Sequence, residues 1–257
     1  MFPKDLTRRR RHFLPRPGHM DLVAAAVAYA QYAHEFERLK YVEGTYYTHV
    51  KGVSERLHTS EEKVVALLHD VVENRIEDEL GKTPDKTVEE RRIQEILDEI
   101  ELYFRERGHD ISKTLRLDID ILTKRVTDTD AYPDDTNYLK YIKRLADDAE
   151  KRKVYRAVRV KLADLFDNSD PERNRARNIQ KPKDRARLRR YGKAIGYLTS
   201  RFPEIKLRTA GPANRPAHHE RPKRIDRPRS PRSWEEKGPG HEKGPTSIEE
   251  IWWLTKI

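Results

Sequence analysis

The sequence contains no cysteine among its 257 residues. This absence excludes a disulfide scaffold, a cysteine-held iron–sulfur cluster, a cysteine-ligated zinc site and a thiol nucleophile. No apolar run approaches the roughly 18–20 residues that a bilayer span requires, and no apolar core of a secretory signal follows the basic N-terminus. We therefore expect a cytoplasmic protein without a membrane partner.

Hydrophobic residues are also scarce, at 35% of the chain, against roughly 45–50% in ordinary globular domains. Part of the deficit lies in residues 1–17, which are basic and contain prolines, and in residues 208–246, which are rich in proline, arginine, glycine and serine. Such segments bury too little apolar surface to offset the entropy of ordering. We expect a disordered extension and a disordered linker there.

Residues 247–257 contain capping-box spacing at Ser247 and Glu250, followed by isoleucine, tryptophan and leucine side chains. This short amphipathic segment is too short to be a stable helix alone. Two interpretations stay open: docking on the chain's own core, or self-association and partner binding, which includes a homo-oligomer.

The net charge of +10 suggests nucleic-acid binding until its distribution is considered. Residues 1–17 and 208–246 each carry +5, whereas residues 18–207 carry only +1. Within that body, residues 18–150 carry −11 and residues 151–193 carry +11. A basic segment set against an acidic one suits a local anionic ligand better than a continuous DNA-binding face.

Hydrophobic periodicity in residues 18–207 predicts helices almost throughout, with no sustained period-two alternation. A capping box at Thr59 and Glu62 precedes an apolar run. The other predicted helices lie within 21–40, 88–107, 136–149, 151–168 and 185–200. We predict an all-α fold, with one helical domain at 18–207.

Two polar residues, His69 and Asp70, interrupt the apolar run between Val64 and Asn74, which we predict to be one helix. A charged pair in a core helix needs a compensating partner, either a salt bridge or a divalent cation. Glu73 comes four residues after His69 and is expected to project toward the same site.

A second apolar stretch contains Asp164, with Asn168 one turn later on the same face. Together with His49, the sequence supplies two imidazoles and two carboxylates. This ligand set suits Mn²⁺, with Fe²⁺ or Zn²⁺ as alternatives.

The order of these motifs resembles that of the HD-domain hydrolases of the RelA/SpoT type, and most closely the small alarmone hydrolases. The resemblance covers roughly residues 21–202 and includes no synthetase domain. The matching segments are Tyr46 with His49, Gly52-Val53, Ala66-Leu-Leu-His-Asp-Val-Val-Glu73, Leu122-Thr-Lys124, and Lys161-Leu-Ala-Asp164 with Asn168.

The resemblance implies a single HD-domain helical bundle that removes pyrophosphate from the 3′ position of a guanosine polyphosphate alarmone such as ppGpp, as in the stringent response. It implies that the metal ligands are His49, His69, Asp70 and Asp164. It assigns Glu73 and Asn74 to the position of the catalytic acidic pair. The implied substrate-binding residues are Arg38, Lys40, Tyr46 and Asn168.

The sequence departs from the family pattern at four places. Asn74 replaces an aspartate, Val50 replaces the proline after the first histidine, and Leu39 separates a basic pair that is adjacent in the family. The arginine that the family has shortly after the distal asparagine is replaced within Ser169-Asp170-Pro171. Two alternatives therefore stay open: an HD-type hydrolase of another nucleotide, or a catalytically weakened protein that binds nucleotides or, through its basic tails, nucleic acid.

Overall fold

The computed structural model describes residues 20–34, 46–81, 84–125, 136–170 and 182–207. The predicted extension at 1–17, the predicted linker at 208–246 and the predicted short amphipathic segment at 247–257 lie outside the described residues. The helices of the described part are α1 (Leu22–Ala33), α2 (Tyr47–Glu55), α3 (Ser60–Leu68), α4 (Val71–Leu80), α5 (Lys86–Arg105), α6 (Lys113–Leu122), α7 (Asn137–Arg152), α8 (Tyr155–Ser169) and α9 (Pro182–Arg201).

The all-α prediction is confirmed, and no strand occurs in the described ranges. Most helices begin at a side chain that accepts hydrogen bonds from the exposed backbone N–H groups of the first turn. The capping box at Thr59 and Glu62 is present as predicted. Asp21, Asp85, Ser112 and Thr136 perform the same function for α1, α5, α6 and α7.

Two helices, α3 and α8, form the centre of the core. α3 packs against α1, α2, α6 and α8, and α8 packs in addition against α6, α7 and α9. The sequence of α3 explains its position, because a helix that is apolar on most of its faces is stable only when neighbours cover it. From Val64 to Leu68, every residue of α3 is buried.

The predicted helix from Val64 to Asn74 is divided in the structure, and this prediction was wrong. α3 ends at Leu68, His69 and Asp70 form a turn, and α4 begins at Val71. Both turn residues keep right-handed helical torsion angles, but ψ of Asp70 is −6°. The change in direction takes the two polar side chains out of the apolar packing of α3 and toward α2 and α8.

No helix in the described ranges combines the length and the apolar character needed to cross a bilayer.

Candidate metal centre

Four side chains from three parts of the fold converge on one small region. His49 comes from α2, His69 and Asp70 from the turn between α3 and α4, and Asp164 from α8. Nε2 of His49 lies 3.1 Å from Oδ1 of Asp164 and 3.9 Å from Oδ2 of Asp70. Nε2 of His69 lies 3.1 Å from Oδ2 of Asp70 and 3.8 Å from Oδ1 of Asp164. The sequence-predicted ligands are therefore brought together.

Hydrogen bonds at the opposite side of each imidazole ring determine which nitrogen faces this region. Nδ1 of His49 lies 2.8 Å from Oδ2 of Asp167, and Nδ1 of His69 lies 2.7 Å from the backbone oxygen of Ala66. Both partners are acceptors, so a ring that binds a cation through Nε2 keeps its proton on Nδ1. Each Nε2 faces the two carboxylates, and this is the side on which a cation would bind.

The two carboxylates are also held by neighbouring side chains. The hydroxyl of Tyr46 donates a hydrogen bond to Oδ2 of Asp70. Nδ2 of Asn168 donates to Oδ1 of Asp164 at 2.6 Å, and Nζ of Lys161 donates to Oδ2 at 2.8 Å. Because Lys161 engages the second oxygen, Asp164 has only Oδ1 available for a further partner.

Charge interactions keep both carboxylates ionised although their surroundings are largely closed to water. Burial opposes ionisation, but His69 holds the pKa of Asp70 below its usual range, and Lys161 does the same for Asp164. Burial alone would lower the pKa of His69, yet the neighbouring carboxylates raise it to about 10. For His49 burial dominates and lowers the pKa of the ring. The region thus contains two ionised carboxylates beside the two imidazole rings.

These residues form a group that could hold a metal ion. The ligand atoms of His49, His69 and Asp70 lie within 4.8 Å of one another, and Oδ1 of Asp164 completes the set. Nε2 of His69 is buried and has no hydrogen-bond partner of normal geometry in the described part of the chain. Two imidazole nitrogens and two carboxylate oxygens suit a divalent transition-metal ion.

Glu73 and Asn74, which the resemblance assigns to the position of the catalytic acidic pair, lie in the first turn of α4. Glu73 is half-buried, and burial followed by the negative charge of Asp70 raises its pKa to about 7. Asn74 is also half-buried, and its backbone N–H donates to the backbone oxygen of Asp70. The structure therefore places Glu73 within electrostatic reach of the ligand group.

The structure describes two of the four residues predicted to bind substrate. Arg38 and Lys40 lie outside the described residues. Tyr46 and Asn168 are close to the predicted ligands, but the contacts described above connect them to Asp70 and Asp164, which orients the ligand carboxylates.

Sequence reasoning did not find Asp167, whose carboxylate contacts both His49 and Arg56. Lys161 was noticed only as part of a motif, although its ammonium group is buried against Asp164 and lies 5.1 Å from the ring centroid of Tyr141. A signal for Asp167 was its position three residues after Asp164, because residues three and four apart, such as Asp167 and Asn168 relative to Asp164, lie on the same side of a helix.

Comparison with known protein families gives no match, and no curated protein matches the chain.

Proposed function

We propose that this chain is a metal-dependent phosphohydrolase of the HD type, which removes pyrophosphate from the 3′ position of a guanosine polyphosphate such as ppGpp. The observation that supports it best is the convergence of four ligand atoms, two from imidazoles and two from carboxylates, of which only the Asp70 carboxylate is partly exposed. The motif order His49, His69-Asp70, Asp164 supports the same proposal by resemblance. A guanine-nucleotide substrate and a cytoplasmic location are parts of this proposal.

His49, His69, Asp70 and Asp164 would hold the cation, and Mn²⁺ is the ion we propose. When bound, such a cation polarises a phosphoryl oxygen and makes a water molecule more acidic. The chain itself supplies orientation, because hydrogen bonds from outside the ligand group hold each of the four side chains.

Glu73 is the proposed general base. Its carboxylate lies on the first turn of α4, next to the ligand turn, and its pKa is raised to about 7 by burial and by Asp70. A base is most effective when its pKa is near the working pH, and a positioned base contributes roughly 10²–10⁴ in rate. Asn74 can hold a water molecule by hydrogen bonding but cannot accept its proton.

The direct test is pyrophosphate release from ppGpp by the purified full-length chain loaded with Mn²⁺. We expect turnover that is lost on chelation of the cation and in the Asp70→Ala variant. Asp170→Asn is a matched control, because Asp170 directly follows α8, the helix that contains Asp164, but pairs with Arg56. Absence of turnover on ppGpp and on a panel of other nucleotides, with several metals, would refute the enzyme proposal.

A second candidate function is hydrolysis of a different nucleotide on the same scaffold, and Asn74 is the residue that favours it. The substrate panel, which includes nucleoside monophosphates and other 3′-phosphorylated nucleotides, separates the two. The Asn74→Asp variant adds a carboxylate beside Glu73, and we expect a higher kcat on ppGpp. An unchanged rate would show that this position does not limit alarmone hydrolysis.

A further inference from the structure

Two aspartates in the C-terminal half of α8 contact the two nitrogens of one imidazole ring, that of His49. Asp164 Oδ1 lies 3.1 Å from Nε2 of His49, and Asp167 Oδ2 lies 2.8 Å from Nδ1. The two aspartates are three positions apart, which places them on neighbouring turns of one helix. One aspartate is on the ligand side of the ring and the other is on the far side.

The carboxylate of Asp167 is itself fixed from α2. Nη2 of Arg56, the residue after the last turn of α2, lies 3.6 Å from Oδ1 of Asp167 and 3.4 Å from Oδ2 of Asp170. Asp167 is buried, so its charge needs a partner, and Arg56 and the Nδ1–H group of His49 supply two.

The absence of a side chain at Gly52 makes room for this carboxylate. A Cβ atom at position 52 would lie 2.9 Å from Oδ1 of Asp167, closer than real Cβ contacts. Gly52 is three residues after His49 on α2, so the ring and the space beside it face α8 together. The position of the Asp167 carboxylate beside α2 therefore depends on glycine.

We propose that Asp167 is a positioning residue that holds His49 in its Nδ1–H form and aims the Nε2 lone pair at the metal site, with Gly52 and Arg56 fixing its carboxylate. A hydrogen bond from the far nitrogen to a carboxylate sets the tautomer and raises the basicity of a ligating histidine. The proposal rests on cation binding in the proposed function, but not on the identity of the substrate.

The first test needs no variant. Nitrogen chemical shifts of the histidine rings in the protein loaded with diamagnetic Zn²⁺ at pH 8 show which nitrogen carries the proton and which binds the cation. We expect His49 to carry its proton on Nδ1 and to bind through Nε2, and binding through Nδ1 would overturn the proposal.

The second test is the affinity for Mn²⁺, measured by calorimetry, with Co²⁺ absorption as an independent signal of ligand geometry. We expect Asp167→Asn to weaken binding about 10–100-fold, the range found for such partners. Asp170→Asn shares the Arg56 contact but lacks the contact to His49, so its affinity should stay within about twofold of the unmodified chain. Gly52→Ala leaves every charge in place and displaces the Asp167 carboxylate, and it should weaken binding by less.

The outcomes separate this inference from the proposed function. If the unmodified chain does not bind Mn²⁺, the metal-dependent function fails. If it binds and Asp167→Asn binds equally well, the positioning role fails and the function stands. Equal losses in Asp167→Asn and Asp170→Asn would also overturn the role, because they would indicate a general effect on the Arg56 cluster.

Discussion

Two of the charged clusters in the described part of the chain differ in burial. At the candidate metal centre, His49, His69 and Asp164 are each at most 4% exposed. On the outer side of α4 and α5, Arg75 and Arg92 form ion pairs with a group of partly or largely exposed glutamates, which are Glu79, Glu95 and Glu99.

The comparison shows that burial, more than charge, decides what a cluster does. On the surface each charge is solvated already, so pairing changes the free energy of folding little. In the interior each ionised group needs a specific partner, and removal of one partner leaves another group uncompensated. The buried cluster is therefore organised around defined oxygen and nitrogen atoms, whereas the surface cluster tolerates many arrangements.

The largest expected effect comes from Asp164→Asn. This change removes one proposed ligand charge and the ionised partner of Lys161, so we expect loss of Mn²⁺ binding by calorimetry. We also expect the free energy of unfolding to fall, by up to about 3–5 kcal/mol, because a buried ammonium group loses its counter-charge.

The double variant Asp164→Asn with Lys161→Met separates these two effects. Removing the ammonium group should restore much of the stability, measured by chemical denaturation, without restoring Mn²⁺ binding. Normal Mn²⁺ affinity in this double variant would contradict the ligand assignment of Asp164.

An intermediate effect is expected at Glu62, a buried carboxylate that lies away from the proposed ligands. Its Oε2 accepts hydrogen bonds from the backbone N–H groups of His58 and Thr59, each at 3.0 Å, and its Oε1 pairs with Arg159 of α8. We expect Glu62→Gln to lower the free energy of unfolding by about 1–3 kcal/mol, because a buried charge-assisted network loses its charge.

The effect of Glu62→Gln depends on pH with a defined sign. Burial opposes ionisation of Glu62, but its hydrogen bonds and Arg159 hold its pKa below the ordinary value of 4.5. The ionised form therefore stabilises the fold above the unfolded-state pKa, and this contribution disappears as pH falls through the folded-state pKa. Denaturation curves at pH 7 and below pH 4 should show the difference between variant and unmodified chain shrinking at the lower pH.

The smallest effect is expected at Arg92, in the surface cluster. Arg92→Met keeps an apolar stem of similar reach and removes the charge that pairs with Glu79 and Glu95. We expect a loss of at most about 1 kcal/mol, which decreases further at 1 M salt because exposed pairs are screened. A loss as large as that of Glu62→Gln would contradict the distinction between buried and exposed clusters.

Most of the fold could be predicted from the sequence because apolar periodicity specifies amphipathic helices. The helix predicted at 88–107 is found at Lys86–Arg105, and the one at 151–168 is found at Tyr155–Ser169. The helices Tyr47–Glu55 and Lys113–Leu122 were not identified individually. The first is short and carries polar residues at many positions, so its periodicity is weak, and packing against α3 and α8 stabilises it instead.

The group formed by His49, His69-Asp70 and Asp164 could be predicted, because the motif is recognised from residue types and their order without exact geometry. The turn at His69 and Asp70 could not be predicted, because the sequence on both sides is apolar and continuous with a helix. Nor could the contact between Asp167 and His49, since those residues are 118 positions apart and meet only through tertiary packing.

The same separation of 118 positions makes the candidate site a product of the complete fold. A chain that ended before α8 would contain both histidines of the cluster but neither Asp164 nor Asp167. Any opening that detaches α8 from α2 would likewise disperse the ligands, so it would release the cation and expose the amides of α8 to exchange. A cation that binds only the assembled form would therefore slow amide exchange in α8, because it adds about 4 kcal/mol to the free energy of this opening at a thousandfold excess over its Kd.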